Sequence, residues 1–186
     1  MSSSSSKQAL RDLQTRLAQR MQAARDQEIQ AASWLAVECA GVGLLLSLRQ
    51  AAEIFTPVPM RALPYAQPWL AGVANLRGGL FTVVDLAVFL GLREAGAVRT
   101  EARQDLAQVR MVSLNAELNT NCALLVDRLL GLRGDEQLQP DPADSETAGQ
   151  RPRFAGPRLL DADGRSWQTL DLEALAKHDQ FLRVVV

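Results

Sequence analysis

The feature that most constrains the fold of this 186-residue chain is an internal repeat. Two stretches match at an offset of 86 positions, and each runs from a turn glycine through a strand and an aspartate into a short helix. The matched positions pair Gly78, Phe81, Val84, Asp85 and Leu86 with Gly164, Trp167, Leu170, Asp171 and Leu172. Solenoid repeats have periods of roughly 20–50 residues, so this longer period predicts two copies of a small domain instead of a stacked array.

Apolar runs separated by turn residues predict that both copies are built from β-hairpins. The predicted strand pairs are 34–39 with 43–48, 72–76 with 80–84, 109–114 with 122–126, and 158–161 with 166–170. A helical turn is predicted at 49–53 and a final strand at 181–186, and the strand 43–48 with its helical turn resembles 122–132. A two-stranded ribbon cannot bury a core alone, whereas about five strands can close on themselves. We therefore predict a mainly β fold of two small barrels side by side.

Two segments differ in composition from the predicted β domain, which spans 33–186. Residues 1–32 comprise a serine run, predicted to be disordered, and a stretch over 7–28 in which apolar residues recur at helical spacing. The apolar stripe of this predicted N-terminal helix packs on its own domain or docks on a partner helix. Residues 134–153 contain five acidic residues and are predicted to form a mobile acidic loop in the second copy.

Charge and hydropathy exclude several classes of protein. Lys plus Arg is 20 and Asp plus Glu is 21, so the basic excess typical of a general nucleic-acid binder is absent. A nucleic-acid module acting through the arginines of 11–25 is the least favoured hypothesis. The longest apolar stretch, 34–48, is interrupted by Glu38 and is shorter than the ~20 residues of a membrane helix. No secretory signal is recognisable at the polar start of the chain, so we expect a cytoplasmic protein.

The best candidates for catalysis are Asp85 and Asp171, which occupy equivalent positions in the repeat. A pair of carboxylates can perform general acid–base chemistry. Each aspartate, however, lies between a strand and a helix, where a carboxylate accepts the unpaired N–H groups of the first helical turn. We favour duplicated helix caps, and a small acid/base enzyme that uses both aspartates is the alternative.

No other constellation of reactive residues is recognisable. His178 is the only histidine, and it is predicted near the end of the last helix, where a cation suits the helix dipole. Cys39 and Cys122 lie 83 positions apart in predicted strands and are expected to be buried, unreactive thiols. The chain has neither of the glycine-rich phosphate-binding motifs. We therefore predict no catalytic residue, no metal and no cofactor.

An arginine at a predicted hairpin tip is the best candidate for binding a protein partner. Arg77 follows apolar residues and is bracketed by Gly72 and Gly78. An exposed guanidinium beside apolar surface is enriched in interface hot spots, although a turn arginine can also point to water without a role. Glu53 and Ile54 follow the first hairpin and are predicted to lie on the same side as Arg77.

These segments resemble the signature of the CheW-like domain family of chemotaxis coupling proteins. The resemblance is carried by Ala51-Ala-Glu-Ile54, by Pro68-Trp-Leu-Ala-Gly-Val-Ala-Asn-Leu-Arg-Gly78 and by Val83-Val-Asp-Leu86. It continues through Leu124-Leu-Val-Asp127 and 154–172, so it covers roughly 33–186. The helical extension before it resembles the PilI branch of type IV pilus twitching systems.

The resemblance implies two SH3-like five-stranded barrels and a non-catalytic adaptor. The adaptor would link a methyl-accepting chemoreceptor to a CheA-type histidine kinase in arrays at the membrane, in a twitching system or, alternatively, in a flagellar chemotaxis pathway. The kinase regulatory domain would dock on one barrel edge, and the helical receptor tip would enter a groove between the barrels. The implied partner-binding residues are Glu53, Ile54, Gly72, Val73, Asn75, Leu76, Arg77 and Gly78. Many relatives carry an arginine where this chain has Ala87, so any contact made by that arginine is absent here.

Overall fold

The computed structural model describes Arg16, 32–96, 107–146, Gly149 and 151–186. By its internal contacts the chain divides into 1–32 and 33–186, and the fold described below is that of the second unit. The predicted serine run and N-terminal helix lie outside the described residues, apart from Arg16. Within the described part of the chain, each helix is too short or too polar to cross a membrane.

The described strands form two β-sheets. The first sheet contains β1 (Ala32–Cys39), β2 (Val42–Ser47), β8 (Arg128–Gly134), β9 (Leu138–Pro140), β10 (Ala155–Asp161) and β11 (Ser166–Leu170). The second sheet contains β3 (Ala51–Phe55), β4 (Leu70–Leu76), β5 (Gly79–Asp85), β6 (Arg110–Leu114) and β7 (Cys122–Val126). The short helices are α1 (Leu86–Phe89), α2 (Leu172–Ala176) and α3 (Asp179–Leu182), with 3-10 turns at Ala116–Leu118, Asp135–Gln137 and Pro142–Glu146.

The two sheets share one topology. The strand order is β8-β1-β2-β11-β10-β9 in the first sheet and β3-β6-β7-β5-β4 in the second. In the first sheet β1–β2, β11–β10 and β10–β9 are antiparallel, and β2 runs parallel to β11. In the second sheet β3–β6, β6–β7 and β5–β4 are antiparallel, and β7 runs parallel to β5. The repeat seen in the sequence therefore corresponds to β5-α1 and β11-α2, and β2 is the counterpart of β7.

The chain does not build one sheet after the other. The hairpin of β1 and β2 joins the sheet whose other strands come from the C-terminal half, because residues 44–46 pair with 168–170. The chain then crosses to the second sheet at the turn 48–50 and returns at Asp127, between β7 and β8. The two copies of the repeat are thus interleaved, so the sheets form one unit with two crossings between them.

The hairpin strands have continuous apolar sequences because they are buried on both faces. Leu44 and Leu46 of β2 enter a large cluster to which both sheets contribute, whereas Leu45 packs with Trp167 in the first sheet's own cluster. In β7, Leu124 enters the shared cluster, and the neighbouring Leu125 enters the second sheet's own cluster. Successive side chains of a strand point to opposite faces of the sheet. One set therefore packs inside the strand's own curled sheet, and the other set packs in the core shared by the two sheets.

The predicted mainly β fold of two small barrels is confirmed in the form of two curled sheets, and the four predicted hairpins are present. The first sheet differs from the predicted five strands because β9 is added at its edge. The predicted helical turn at 49–53 is wrong, since only 48–50 form a turn before β3 begins at Ala51. The prediction of a final strand at 181–186 is also wrong. Residues 179–182 form α3, and within 181–186 only Val185 forms a β-bridge, with Ala66.

The stretch 134–153 is not a structureless loop where it is described, because its acidic side chains have partners. Asp135 accepts hydrogen bonds from Trp34 Nε1 at 2.7 Å and Ser33 Oγ at 2.8 Å. Asp144 binds Arg151 through two hydrogen bonds, of 2.6 and 3.0 Å. Composition alone predicted a mobile loop here, whereas Asp135 binds residues of β1 and Asp144 binds Arg151 further along the same stretch.

Candidate functional site

The turn between β4 and β5 holds Arg77 in a well-defined backbone conformation. Leu76 pairs with Gly79, so Arg77 and Gly78 form a two-residue turn, with φ values of +49° and +85°. Positive φ at both positions is what a type I′ hairpin turn requires. Asn75 Oδ1 accepts a hydrogen bond from the Gly78 N–H at 2.8 Å. The Asn75 side chain thus stabilises the turn by a hydrogen bond to its backbone, and the Arg77 side chain lies at the tip.

The Arg77 side chain is exposed and oriented by a neighbour on β3. Arg77 Nη1 lies 2.8 Å from Glu53 Oε2, and the two side chains are 76% and 47% exposed. The guanidinium also lies 5.9 Å from the centroid of the Phe55 ring. An ion pair this exposed contributes about 0–1 kcal/mol to stability. Its main consequence is therefore the orientation of the guanidinium.

An irregularity in β3 places Glu53 next to the turn. The register between β3 and β6 shifts between Ala51 and Ile54, as at a β-bulge, which re-aims side chains. The buried Ser113 holds this segment, because its Oγ accepts a hydrogen bond from the Glu53 N–H at 3.0 Å. The sequence placed Glu53 and Arg77 on one side, and the structure brings them into direct contact.

Exposed apolar side chains accompany the ion pair. Ile54 is 46% exposed and Leu80, the second residue after the turn glycine, is 66% exposed. We define the Arg77 surface as Glu53, Ile54, Asn75, Arg77 and Leu80. Leu80 was missed by the sequence analysis, although its position on β5 opposite Asn75 follows from the hairpin register. Arginine is enriched in interface hot spots, and Arg77 lies in a turn that is followed by an exposed leucine.

The remaining residues implied by the resemblance lie at or beneath this surface. Gly78 is exposed in the turn and Val73 is half-buried, whereas Leu76 is buried in the second sheet's own cluster. Gly72 is buried with φ of +143°, and a Cβ there would lie 2.5 Å from the backbone oxygen of Arg61. A side chain at Gly72 would displace the segment paired with β4, so this glycine shapes the surface through the backbone.

Asp85 and Asp171 are helix caps that lie on different sheets. Asp85 Oδ1 accepts from the Val88 N–H at 3.2 Å, and Asp171 Oδ1 accepts from the N–H groups of Glu173 and Ala174 at 3.0 and 3.1 Å. The capping interpretation is confirmed. Asp171 Oδ1 also accepts from Gln50 Nε2 at 2.9 Å, so both carboxylates are engaged in holding structure.

Arg93 links Asp85 to a second carboxylate. Its Nη2 lies 2.9 and 3.0 Å from the two Asp85 oxygens, and its Nη1 lies 3.1 and 3.2 Å from those of Asp127. Burial opposes the charge on Arg93, but the Asp85 and Asp127 carboxylates outweigh it and raise its pKa. Ala87, in α1, is buried in the shared core.

The thiols and the histidine have structural positions. Burial raises the pKa of both Cys39 and Cys122 to about 12, so neither thiol ionises at neutral pH. His178 directly follows Lys177, the C-cap of α2, as predicted, and it is also the N-cap residue of α3. No cluster of three metal-ligating side chains occurs among the residues that the structure describes.

The first sheet contains its own buried charged group. The half-exposed Arg128 and Arg165 both bind Glu38, which is 9% exposed, and the Arg165 Nη2–Glu38 Oε2 distance is 2.8 Å. Burial by itself would raise the pKa of Glu38, but hydrogen bonds from the two guanidinium groups lower it below its ordinary value. The Arg165 guanidinium also lies 4.5 Å from the Trp167 ring centroid. The charges of Glu38, Arg128 and Arg165 are therefore paired with one another at a largely buried carboxylate, whereas the Arg77–Glu53 ion pair is more exposed.

Comparison with known proteins agrees with this architecture. The CheW-like domain family matches residues 33–180. Protein PilI of Pseudomonas aeruginosa is 28% identical over 169 residues, which cover 88% of this chain and 85% of that protein. A probable chemotaxis protein CheW of Rhizobium etli is 32% identical over 127 residues, 66% of this chain and 73% of that protein.

A solved structure shows the same fold. The scaffolding protein TtCheW of Thermoanaerobacter tengcongensis superimposes with a TM-score of 0.57 at 16% identity, over 76% of this chain and 89% of that one. Two curled sheets around a shared core, with an exposed arginine turn, are the architecture of a CheW-like scaffold. The chain belongs to the CheW-like domain family, and it resembles the PilI branch within it.

Proposed function

We propose that this scaffold couples a methyl-accepting chemoreceptor to a CheA-type histidine kinase in a system that controls type IV pilus twitching motility. The Arg77 surface is the observation that carries the proposal, because a fixed, exposed guanidinium beside Ile54 and Leu80 suits protein recognition. The likeness to Protein PilI along 88% of the chain supports the pilus system.

The Arg77 surface binds the helical tip of the receptor. Apolar side chains of an amphipathic helix pack against Ile54 and Leu80, and Arg77 donates hydrogen bonds that set the register of the helix. Glu53 holds the guanidinium in position before binding, which lowers the entropy lost on association. Gly72 and the hydrogen bond between Asn75 and Gly78 maintain the backbone conformation of this surface.

The kinase regulatory domain docks on a barrel edge, and the adaptor transmits the receptor's state by contacting its two conformations with different affinities. An adaptor that binds both conformations equally would shift no equilibrium. Weak single contacts gain strength in a cytoplasmic array at the membrane, where many receptors, kinases and adaptors are linked.

The proposal is tested with the Arg77→Ala variant of the full chain. We expect binding of a receptor cytoplasmic fragment, measured by calorimetry, to weaken about 5- to 30-fold, because hot-spot truncation costs about 1–2 kcal/mol or more. Arg183→Ala is the matched control, since it removes an exposed arginine beside α3. Receptor binding and kinase control that are unchanged in Arg77→Ala would exclude this surface, and a wild-type protein that binds neither partner would refute the proposal.

A flagellar chemotaxis pathway is the second candidate, because the Rhizobium etli relative named as a chemotaxis protein is 32% identical. Deletion of the gene separates the two. Loss of twitching with normal swimming supports the pilus system, and the reverse result supports the flagellar one.

A further inference from the structure

The Arg93 ion pairs join the end of β5 in the second sheet to Asp127, one of the two places where the chain crosses between the sheets. Asp85 is the last residue of β5 in the second sheet, and Asp127 is the single residue between β7 and β8. The Asp127 carboxylate also accepts a hydrogen bond from the Ala40 N–H, at 2.6 Å, in the β1–β2 turn of the first sheet. The backbone N–H of Asp127 donates a hydrogen bond to the backbone carbonyl oxygen of Glu38, in β1, at 3.0 Å.

One guanidinium thus joins carboxylates that belong to different sheets. The Arg93, Asp85 and Asp127 side chains are only 15%, 17% and 25% exposed, so water screens them weakly. A planar guanidinium that binds two carboxylates, each through one nitrogen, fixes their distance and angle. Without Arg93 this bridge between the Asp85 and Asp127 carboxylates, and with it the distance and angle that it fixes, would be lost.

We infer that Arg93 is a positioning residue that sets the orientation of the two sheets and thereby allows the adaptor to pass a receptor signal to the kinase. The inference rests on the proposed function, in which partners contact different parts of the scaffold. A scaffold that rocks at the junction between its sheets would bind each partner but report the receptor's state poorly, because coupling requires contacts that differ between two defined arrangements.

The chain supplies a matched control for this inference. Arg151 is 16% exposed and binds Asp144, which is 18% exposed, so its burial resembles that of Arg93. Its other hydrogen bond goes to the Gly156 oxygen of β10, so Arg151 links segments of the first sheet only. Arg93→Gln and Arg151→Gln each remove a guanidinium of similar exposure. The ion pairs of Arg93 bridge the sheets, whereas that of Arg151 lies within the first sheet, where Arg158 is also 3.6 Å from Asp144.

The orientation is measurable without any partner. Spin labels attached through Glu117→Cys in the second sheet and Asp163→Cys in the first give an inter-sheet distance by double electron–electron resonance. Both positions are exposed, and the native Cys39 and Cys122 are fully buried and so resist labelling. We expect Arg93→Gln to shift the distance by about 2 Å or broaden its distribution, and Arg151→Gln to leave it as in the wild type.

The functional arm measures receptor control of kinase phosphorylation with unlabelled full-length variants. We expect Arg93→Gln to reduce coupling about 2- to 30-fold while each partner still binds, and Arg151→Gln to keep wild-type coupling. Arg93→Lys, which retains the positive charge, replaces Arg93→Gln if the latter does not fold. An unchanged inter-sheet distance, unchanged coupling, or an equal effect of Arg151→Gln would overturn the inference. If the wild type couples nothing, the proposed function fails, and the distance measurement still decides whether Arg93 sets the orientation.

Discussion

The two copies of the repeat use their hairpin turns in opposite ways. In the β10–β11 turn, Asp161 accepts hydrogen bonds from the N–H groups of Asp163 and Arg165 and from Trp167 Nε1, at 3.1, 2.9 and 2.9 Å. In the β4–β5 turn, Asn75 closes the turn and Arg77 remains 76% exposed. The polar groups of the first turn form hydrogen bonds that hold a buried tryptophan, whereas the second turn leaves a charged side chain exposed to solvent.

The helix caps differ in the same manner. Asp171 caps α2 near solvent, whereas Asp85 caps α1 and also binds Arg93 at the junction of the sheets. One ancestral plan thus supports two tasks, because the backbone role of each aspartate is kept while its second partner differs. The turn and the cap of the second sheet are the ones to which we assign binding and coupling.

The largest expected difference between the copies concerns the repeat-equivalent aromatic residues. Trp167 is fully buried and Phe81 is half-buried. Trp167→Ala is expected to lower the free energy of unfolding by about 3–5 kcal/mol, whereas Phe81→Ala should cost about 2 kcal/mol because less surface is lost. Urea unfolding of both variants measures the difference. Equal losses would show that the two sheets are packed alike.

The second largest difference in unfolding free energy is expected between variants of the two helix-capping aspartates. Asp85→Ala removes a cap and leaves the buried Arg93 with one carboxylate, so we expect a loss of about 3 kcal/mol. Asp171→Ala removes an exposed cap, which costs about 1 kcal/mol. Thermal unfolding followed by circular dichroism compares them. A larger loss for Asp171→Ala would contradict the difference in roles argued above.

We expect acid to lower the stability of the protein through Glu38, the buried carboxylate of the first sheet. The folded-state pKa of Glu38 lies below its ordinary value of 4.5, so its stabilising contribution is present above that pH and is lost as the pH falls through the folded-state pKa. We expect the acid-induced decline in unfolding free energy to be shallower in Glu38→Gln. Glu53→Gln serves as the exposed control, and an equal flattening in both variants would contradict this assignment.

The smallest effect on stability is expected at the Arg77 surface. Glu53→Ala should change the free energy of unfolding by less than about 1 kcal/mol, because the ion pair with Arg77 is exposed. Binding of the receptor fragment should nevertheless weaken, because the guanidinium loses its orienting partner. Asp163→Ala, in the corresponding turn of the other sheet, should leave binding unchanged. A binding loss in Asp163→Ala equal to that in Glu53→Ala would remove the distinction between the turns.

Local patterns predicted the hairpins because their signals are short in range. Turn glycines, alternating or continuous apolar runs and the two capping aspartates act within a few residues, so they are readable along the chain. The same patterns failed at 49–53, 134–153 and 181–186. There, the structure is decided by pairing with distant segments, such as β3 with β6 and β9 with β10.

The sequence by itself determined the mainly β class, the duplication, the caps and the exposed arginine turn, since these depend on backbone conformation and neighbouring residues. Only the tertiary structure decided that the β1–β2 hairpin completes the sheet of the C-terminal half, that Glu53 orients Arg77, and that Arg93 joins Asp85 to Asp127. These features depend on how strands far apart in the chain pack on both faces of one shared core. That packing is a property of the whole fold, because burial and charge pairing are settled only when the distant segments meet.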